Sequence, residues 1–105
     1  MSTLSELPID RLYDAPLEVP VHAEADPTGD LPRFAVMRPG TKPTGSDWKD
    51  GTWDGTWNSG TEIVIANTPA FATTWTNLAR GNWVLWYTTA NSNEPSQRFA
   101  ILAVS

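Results

Sequence analysis

No cysteine occurs in the 105 residues of this chain. That excludes a disulfide framework, a thiolate zinc site and a cysteine nucleophile, and it leaves the redox compartment unread. Histidine is almost missing too. His22 stands alone, with no second nitrogen or sulfur ligand to share a metal. Positive charge is scarce: 7 lysines and arginines face 12 aspartates and glutamates, for a formal net charge of −5 and a pI near 4.5. Lys42 and Lys49 are the only lysines, and the arginines are scattered. A nucleic-acid partner needs a basic stripe to neutralise phosphates, so none is expected, and anionic membranes are disfavoured on the same ground. The longest apolar runs fall far short of the ~20 residues a membrane-spanning helix needs. Met1 to Asp10 has neither the basic nor the apolar region of a secretory leader. The chain is therefore expected to stay where it is made, or to leave within a larger assembly.

What is present suffices for one core. Hydrophobic residues make up 40% of the chain, too many for a compositionally disordered segment. A domain of this size buries roughly two-thirds of its unfolded surface. The six tryptophans can supply much of that core, or much of an interface. No repeat of 20–50 residues is found. The echo at Gly51-Thr52-Trp53-Asp54-Gly55-Thr56-Trp57 is local.

Residues 1–16 carry Pro8, Pro16, mixed charge and few β-formers, and read as an extended N-terminal arm. A purely solvated tail would not need Leu4, Leu7, Ile9, Leu12 and Tyr13, so the arm is a candidate docking element. From Leu17 the pattern changes. Leu17, Val19, Val21 and Ala23 alternate with Glu18, Pro20, His22 and Glu24, the period of a half-buried strand. Pro20 has no N–H to give a ladder, which places this strand at an edge or at a bulge. Arg33 to Arg38 predicts a second strand. Trp48 to Trp57 predicts an irregular third one, bent at Gly51 and Gly55. Thr61 to Asn67 is rich in β-branched residues. Phe71 to Trp75 predicts a short, weaker strand. Trp83 to Thr89 and Gln97 to Val104 predict two more, joined by a hairpin loop over Ala90 to Pro95. Proline and glycine punctuate the chain too often for ordinary helices. The expectation is one all-β domain over residues 17–105, an antiparallel sandwich of about seven strands.

Each site candidate has a plainer alternative. His22 alternates with the apolar positions of its strand and should point outward as a surface histidine. A Ser–His–Asp triad is a spatial arrangement that sequence leaves open, but no nucleophile-elbow pattern is present. Asp47, Asp50 and Asp54 with Gly51 and Gly55 resemble a calcium loop only loosely. No glutamate closes the loop at its twelfth position, and turn-capping aspartates are preferred. No carboxylate pair is marked for glycoside hydrolysis. No catalytic, metal or cofactor site is therefore assigned, and an enzyme is not expected. The tryptophans allow core packing, stacking on sugars, or anchoring a protein interface. Trp83, Leu85 and Tyr87 share one strand face and Val84, Trp86 and Thr88 the other. If the Leu85 face lines the core, Trp86 lies on the outer face as a candidate anchor. Trp48, Trp53 and Trp57 are candidates for an exposed aromatic platform.

Leu78-Ala79-Arg80-Gly81-Asn82-Trp83-Val84-Leu85 has the pattern Leu-x-x-Gly-x-aromatic-x-apolar. In immunoglobulin-like sandwiches this is the entry to the sixth strand, where a tyrosine hydroxyl ties back to the backbone. Trp83 stands at that tyrosine. Leu85 stands where antibody domains carry a cysteine. Four further features follow in order along the chain: an acidic turn at 26–30, Asp47-Trp48-Lys49-Asp50-Gly51-Thr52-Trp53, the strand from Trp83 to Trp86, and Asn91-Ser92-Asn93-Glu94-Pro95 before a last strand. In this order they resemble the small immunoglobulin-like virion proteins of tailed bacteriophages infecting actinobacteria. The resemblance covers residues 17–105. Trp83 departs from it, as do Ser96 to Arg98, where such proteins are more apolar.

The resemblance implies a structural virion protein on the capsid surface, made in the host cytoplasm. Its partner would be the major capsid protein, bound by a capsid decoration or minor capsid protein. A head–tail connector or tail component is the nearest alternative. A carbohydrate-binding immunoglobulin-like module, with a surface glycan as ligand, is the alternative from another class. Self-association is a further partnership it allows.

Overall fold

The computed structural model describes residues 4–76, 78–91 and 96–105. Valines at alternate positions mark the strand Glu18–His22 and an Ile-Val-Ile run marks Ile63–Asn67, because branched side chains pack well on a pleated surface. The first strand is β1 (Ser5–Ile9). It is followed by β2 (Glu18–His22), β3 (Pro32–Met37), β4 (Lys49–Asp50), β5 (Thr52–Asn58) and β6 (Ile63–Asn67). The short helix α1 (Phe71–Thr74) precedes β7 (Gly81–Thr89) and β8 (Gln97–Val104). A single 3-10 turn at Gly45–Asp47 leads into β4. The strands form two sheets, in the orders β1-β8-β7-β3-β4 and β2-β6-β5. The orders β8-β7-β3 and β2-β6-β5 correspond to the G-F-C and B-E-D sheets of immunoglobulin sandwiches. The expected all-β sandwich is observed.

The core lies between the sheets. Phe34, Leu85 and Leu102 come from one sheet and Val19, Val64 and Ala66 from the other, all nearly or fully buried. Complete burial of a side chain such as Phe34 contributes about 1.5–3 kcal/mol. Leu85 is fully buried among these side chains. The edge expected from Pro20 is also observed. Thr68 N–H donates to Leu17 O at 3.0 Å and Ala23 N–H to Glu62 O at 2.9 Å, flanking the β2–β6 register. Odd positions of β2 therefore bond to β6, and even positions turn their backbone to the open side. The missing N–H of Pro20 falls on that side, where it blocks further strand pairing.

Four expectations need correction. Residues 1–16 are not an arm apart from the domain. β1 pairs with β8, Ser5 opposite Ala100 through Ile9 opposite Val104, and Ile9 enters the core. Three of the five β1 residues stay exposed, so the strand forms by pairing with β8, which no local pattern announces. That pairing is parallel, so the sandwich is not wholly antiparallel, and the strands among the described residues number eight. The segment from Trp48 to Trp57 is two strands in different sheets, β4 on β3 and β5 on β6. The chain crosses at Gly51, where a β-carbon would collide with Asn67 O and come within 2.6 Å of Phe34 Cε2. Finally, Phe71 to Thr74 is helical, with Trp75 closing the turn. Phe71 and Trp75 sit four apart, on one helical face, with ring centroids 5.0 Å apart. The hairpin loop over 90–95 lies outside the described residues beyond Asn91.

Candidate functional site

Residues of the N-terminal segment divide by what the sandwich does with them. Ile9 is buried, and Leu7 and Tyr13 pack against the core. The Tyr13 ring lies 5.9 Å from Phe71. Between β1 and β2 the chain turns at Asp10, whose carboxylate accepts from Leu12 N–H at 2.9 Å while its carbonyl accepts from Tyr13 N–H at 2.8 Å. That turn throws Leu12 outward, 80% exposed. Leu4 is half-buried. Of the five apolar residues expected to dock elsewhere, only Leu12 and part of Leu4 remain available.

The same turn segment is latched to α1. Thr73 donates to the Asp14 carboxylate through its N–H at 2.8 Å and its hydroxyl at 2.7 Å. These bonds hold the Asp14 carboxyl below the usual carboxylate range. Asp26 is lowered likewise, by the hydroxyl and N–H of Thr28. At Asp30 desolvation pushes upward, but hydrogen bonds from Leu31 and Asn91 outweigh it. Tyr87 is pushed up to about 12, by burial first and by the nearby Asp30 charge second.

The expected aromatic platform is not exposed. Trp53 and Trp57 pack half-buried against the main core, and each indole N–H is spent internally. Trp53 donates to Asp30 O at 2.7 Å and Trp57 to Ala23 O at 3.2 Å. Trp48 lies apart from them and covers the outer face of the five-stranded sheet. The physical reason is area: a ring this large is held by burial, and its N–H finds a carbonyl. Gly55, with φ of +86°, sits where the β5 register shifts between Asp54 and Asn58. The corner tie survives the change of residue. Trp83 Nε1 donates to Ala79 O at 2.9 Å, four residues upstream, and the Arg38 guanidinium lies 4.1 Å over the ring.

Of the three spaced aspartates, Asp47 accepts from Thr44 N–H and hydroxyl, at 2.9 and 3.1 Å. Asp50 pairs with Arg33 at 3.2 Å on an exposed surface. Among the described residues no group of three or more metal-ligating side chains converges, and no helix is long and apolar enough to cross a membrane. His22 is exposed, on the rim of a cleft of about 380 Å³ between β2 and the β7–β8 strands.

The outer face of the five-stranded sheet carries a second apolar layer. Leu85 faces the core, so Trp86 faces away, as the alternation required. It is not exposed there: Ala35, Val84 and Trp86 form a buried cluster flanked by Met37 and Trp48. Trp86 is only 9% exposed. Its indole nitrogen is shielded from solvent and has no hydrogen-bond partner among the described residues. Beside it a groove of about 670 Å³ runs between Leu4, β7, β8 and the turn after β3. Arg98 enters because the β7–β8 register shifts after Leu85, which sets Arg98 opposite Trp86. Lys42 comes from the turn closed by Thr41 N–H on Arg38 O at 3.1 Å. Neither cation was singled out as a site residue from sequence. The signal for Arg98 was its departure from the apolar pattern of the resembling proteins, and Lys42 had none. The chain matches no protein-family model, no curated protein and no solved structure.

Proposed function

We propose that the chain is a structural virion protein of a tailed bacteriophage, a capsid decoration or minor capsid protein that binds the major capsid protein. The observation carrying this reading is the order of sequence elements on a sandwich frame. The Asp-Trp-Lys segment, the leucine–glycine corner and the aromatic-x-apolar-Trp strand occur in sequence, and the strand orders correspond to an immunoglobulin sandwich. An acidic surface suits soluble display in many copies. Leu12, held outward on its turn, is the docking residue in this reading. A glycan-binding alternative loses support from the tryptophans, all of which are half-buried or buried.

The test is co-sedimentation with capsids that lack the protein, comparing the native chain with Leu12→Asp. Deleting residues 1–16 would remove β1 and part of the core, so a point change is the cleaner probe. Saturable binding at high occupancy, lost in Leu12→Asp, supports decoration through this turn. Saturation at a few copies per particle reassigns the protein to a connector or tail position. No binding refutes the capsid reading.

A further inference from the structure

We infer that the groove on the outer face of the five-stranded sheet receives an acidic peptide segment of a partner protein, held by Trp86, Arg98 and Lys42. It rests on the proposed virion role only for where that segment comes from, not for its chemistry. Two observations carry it. First, the Trp86 indole N–H is shielded and unpartnered, whereas Trp53, Trp57 and Trp83 all donate to backbone carbonyls. A buried donor without an acceptor is costly, and such orphans are rare enough to ask what completes them. Second, the groove gathers cations in a chain of net charge −5. Arg98 and Lys42, both exposed, line it together with Leu4, Val84, Trp86 and Ile101, and among the described residues no carboxylate does. Glu6, opposite Ile101 by register, is not part of the lining.

An indole N–H, a guanidinium and an ammonium donate hydrogen bonds and accept none. Their joint complement is a group that only accepts, which among peptide side chains is a carboxylate. The floor of Val84, Ile101 and Leu4 asks for apolar contact beside it. A volume of about 670 Å³ suits several residues rather than a single ion. The indole nitrogen has no solvent contact in the free chain, so an occupant reaches it as the rim yields. Arg98 and Lys42 are the long, flexible side chains able to yield.

The experiment is a titration of the isotopically labelled protein, followed through its indole N–H resonances, with Trp86→Phe assigning the Trp86 peak. The probe is an end-capped peptide alternating Asp and Glu with Leu; its Asn and Gln counterpart is the control. The Trp86 resonance should move more than the other five, saturate, and respond at least tenfold more weakly to the amide peptide. The doubly reversed Lys42→Glu, Arg98→Glu chain, whose exposed substitutions leave the fold intact, should lose the response. A Trp86 resonance that stays still at millimolar peptide, or moves equally in the reversed chain, overturns the inference. Movement with protein concentration alone would place a second copy in the groove and overturn it too. Capsid binding that persists in the reversed chain would separate failure of this site from failure of the virion role.

Discussion

Gly51→Ala is expected to be among the most damaging single-methyl changes this fold can suffer. Gly51 lies where the chain leaves β4 in one sheet for β5 in the other, and its N–H donates to Pro32 O at 2.8 Å. An added β-carbon would collide with Asn67 O and sit 2.6 and 2.9 Å from two carbons of the Phe34 ring. Neither neighbour can retreat. Asn67 O belongs to a β6 residue paired on both sides, with Glu18 and Thr52, and Phe34 is fully buried. Overpacking a tight core costs typically about 1–3 kcal/mol, and two rigid contacts at one carbon place this case at about 3 kcal/mol or more. For a domain of roughly 100 residues that lowers Tm by at least about 12 °C. In urea, with m no greater than about 3 kcal/mol/M, the midpoint should fall by about 1 M or more at unchanged m. Gly29→Ala is the matched control, because a β-carbon there meets no atom within 4 Å. Removing glycine's freedom in the unfolded chain should leave it neutral or stabilised by up to about 1 kcal/mol. Urea unfolding followed by tryptophan fluorescence measures both. If Gly51→Ala lies within about 1 kcal/mol of Gly29→Ala, the account of the crossing is wrong.

Ile9→Ala should cost about 2–5 kcal/mol in the same assay, the loss typical of a buried aliphatic residue, whereas a detachable arm would show no cost. Asp14→Asn tests the latch between the first turn and α1. The Asp14 carboxyl is lowered in the folded state, so its contribution is present at neutral pH and lost as pH falls through the folded value. The deficit of the variant at pH 7 should therefore shrink below about pH 3.8, the ordinary aspartate value. Tyr87 runs the other way. Its phenol is raised from 10.0 to about 12, so it has no effect on stability below about pH 10. Above that the unfolded chain loses the proton first, and stability should fall between pH 10 and 12. Tyr87→Phe should flatten that limb in an alkaline unfolding series. A limb equally steep in the variant would assign the loss to other groups.

The parts of this fold legible in the sequence are those whose cause is local. Alternation marked β2, and the outward even positions of that strand follow from period two alone. The run from Gln97 to Val104 marked β8 to the residue. Pro20 announced an edge because a missing N–H has few tolerable places. What escaped depends on partners far along the chain. β1 exists because β8 offers it a parallel edge, 95 positions away at Ser5 and Ala100. Gly51 was readable as a bend but not as a change of sheet, since that depends on Asn67 and Phe34 standing where they do. Phe71 and Trp75 misled because a five-residue window with apolar ends fits either period, and their tilted i,i+4 ring contact decides it. At the candidate site, the direction of Trp86 was legible and its burial was not, because Trp48 reaches it from beyond β4 and Arg98 through a bulge.

The indoles together explain why the outer face, rather than an aromatic platform, is the surface to pursue. A tryptophan used for stacking on a ligand must offer a free ring face. Trp53 and Trp57 instead commit ring and N–H to the interior, and Trp83 commits its N–H to the corner and a ring face to Arg38. Each of those three is satisfied, so each is explained by folding alone. Trp86 is not. Its ring contributes burial to the small outer cluster, which accounts for an apolar side chain there but not for an indole, since phenylalanine would fill much of the space without an orphaned donor. Trp86→Phe should therefore leave stability within about 1 kcal/mol of the native chain, because cavity loss and relief of the orphan oppose one another. A residue whose polar atom the fold does not use, set beside the only two cations lining the described groove, is where the chemistry of a partner has room to act.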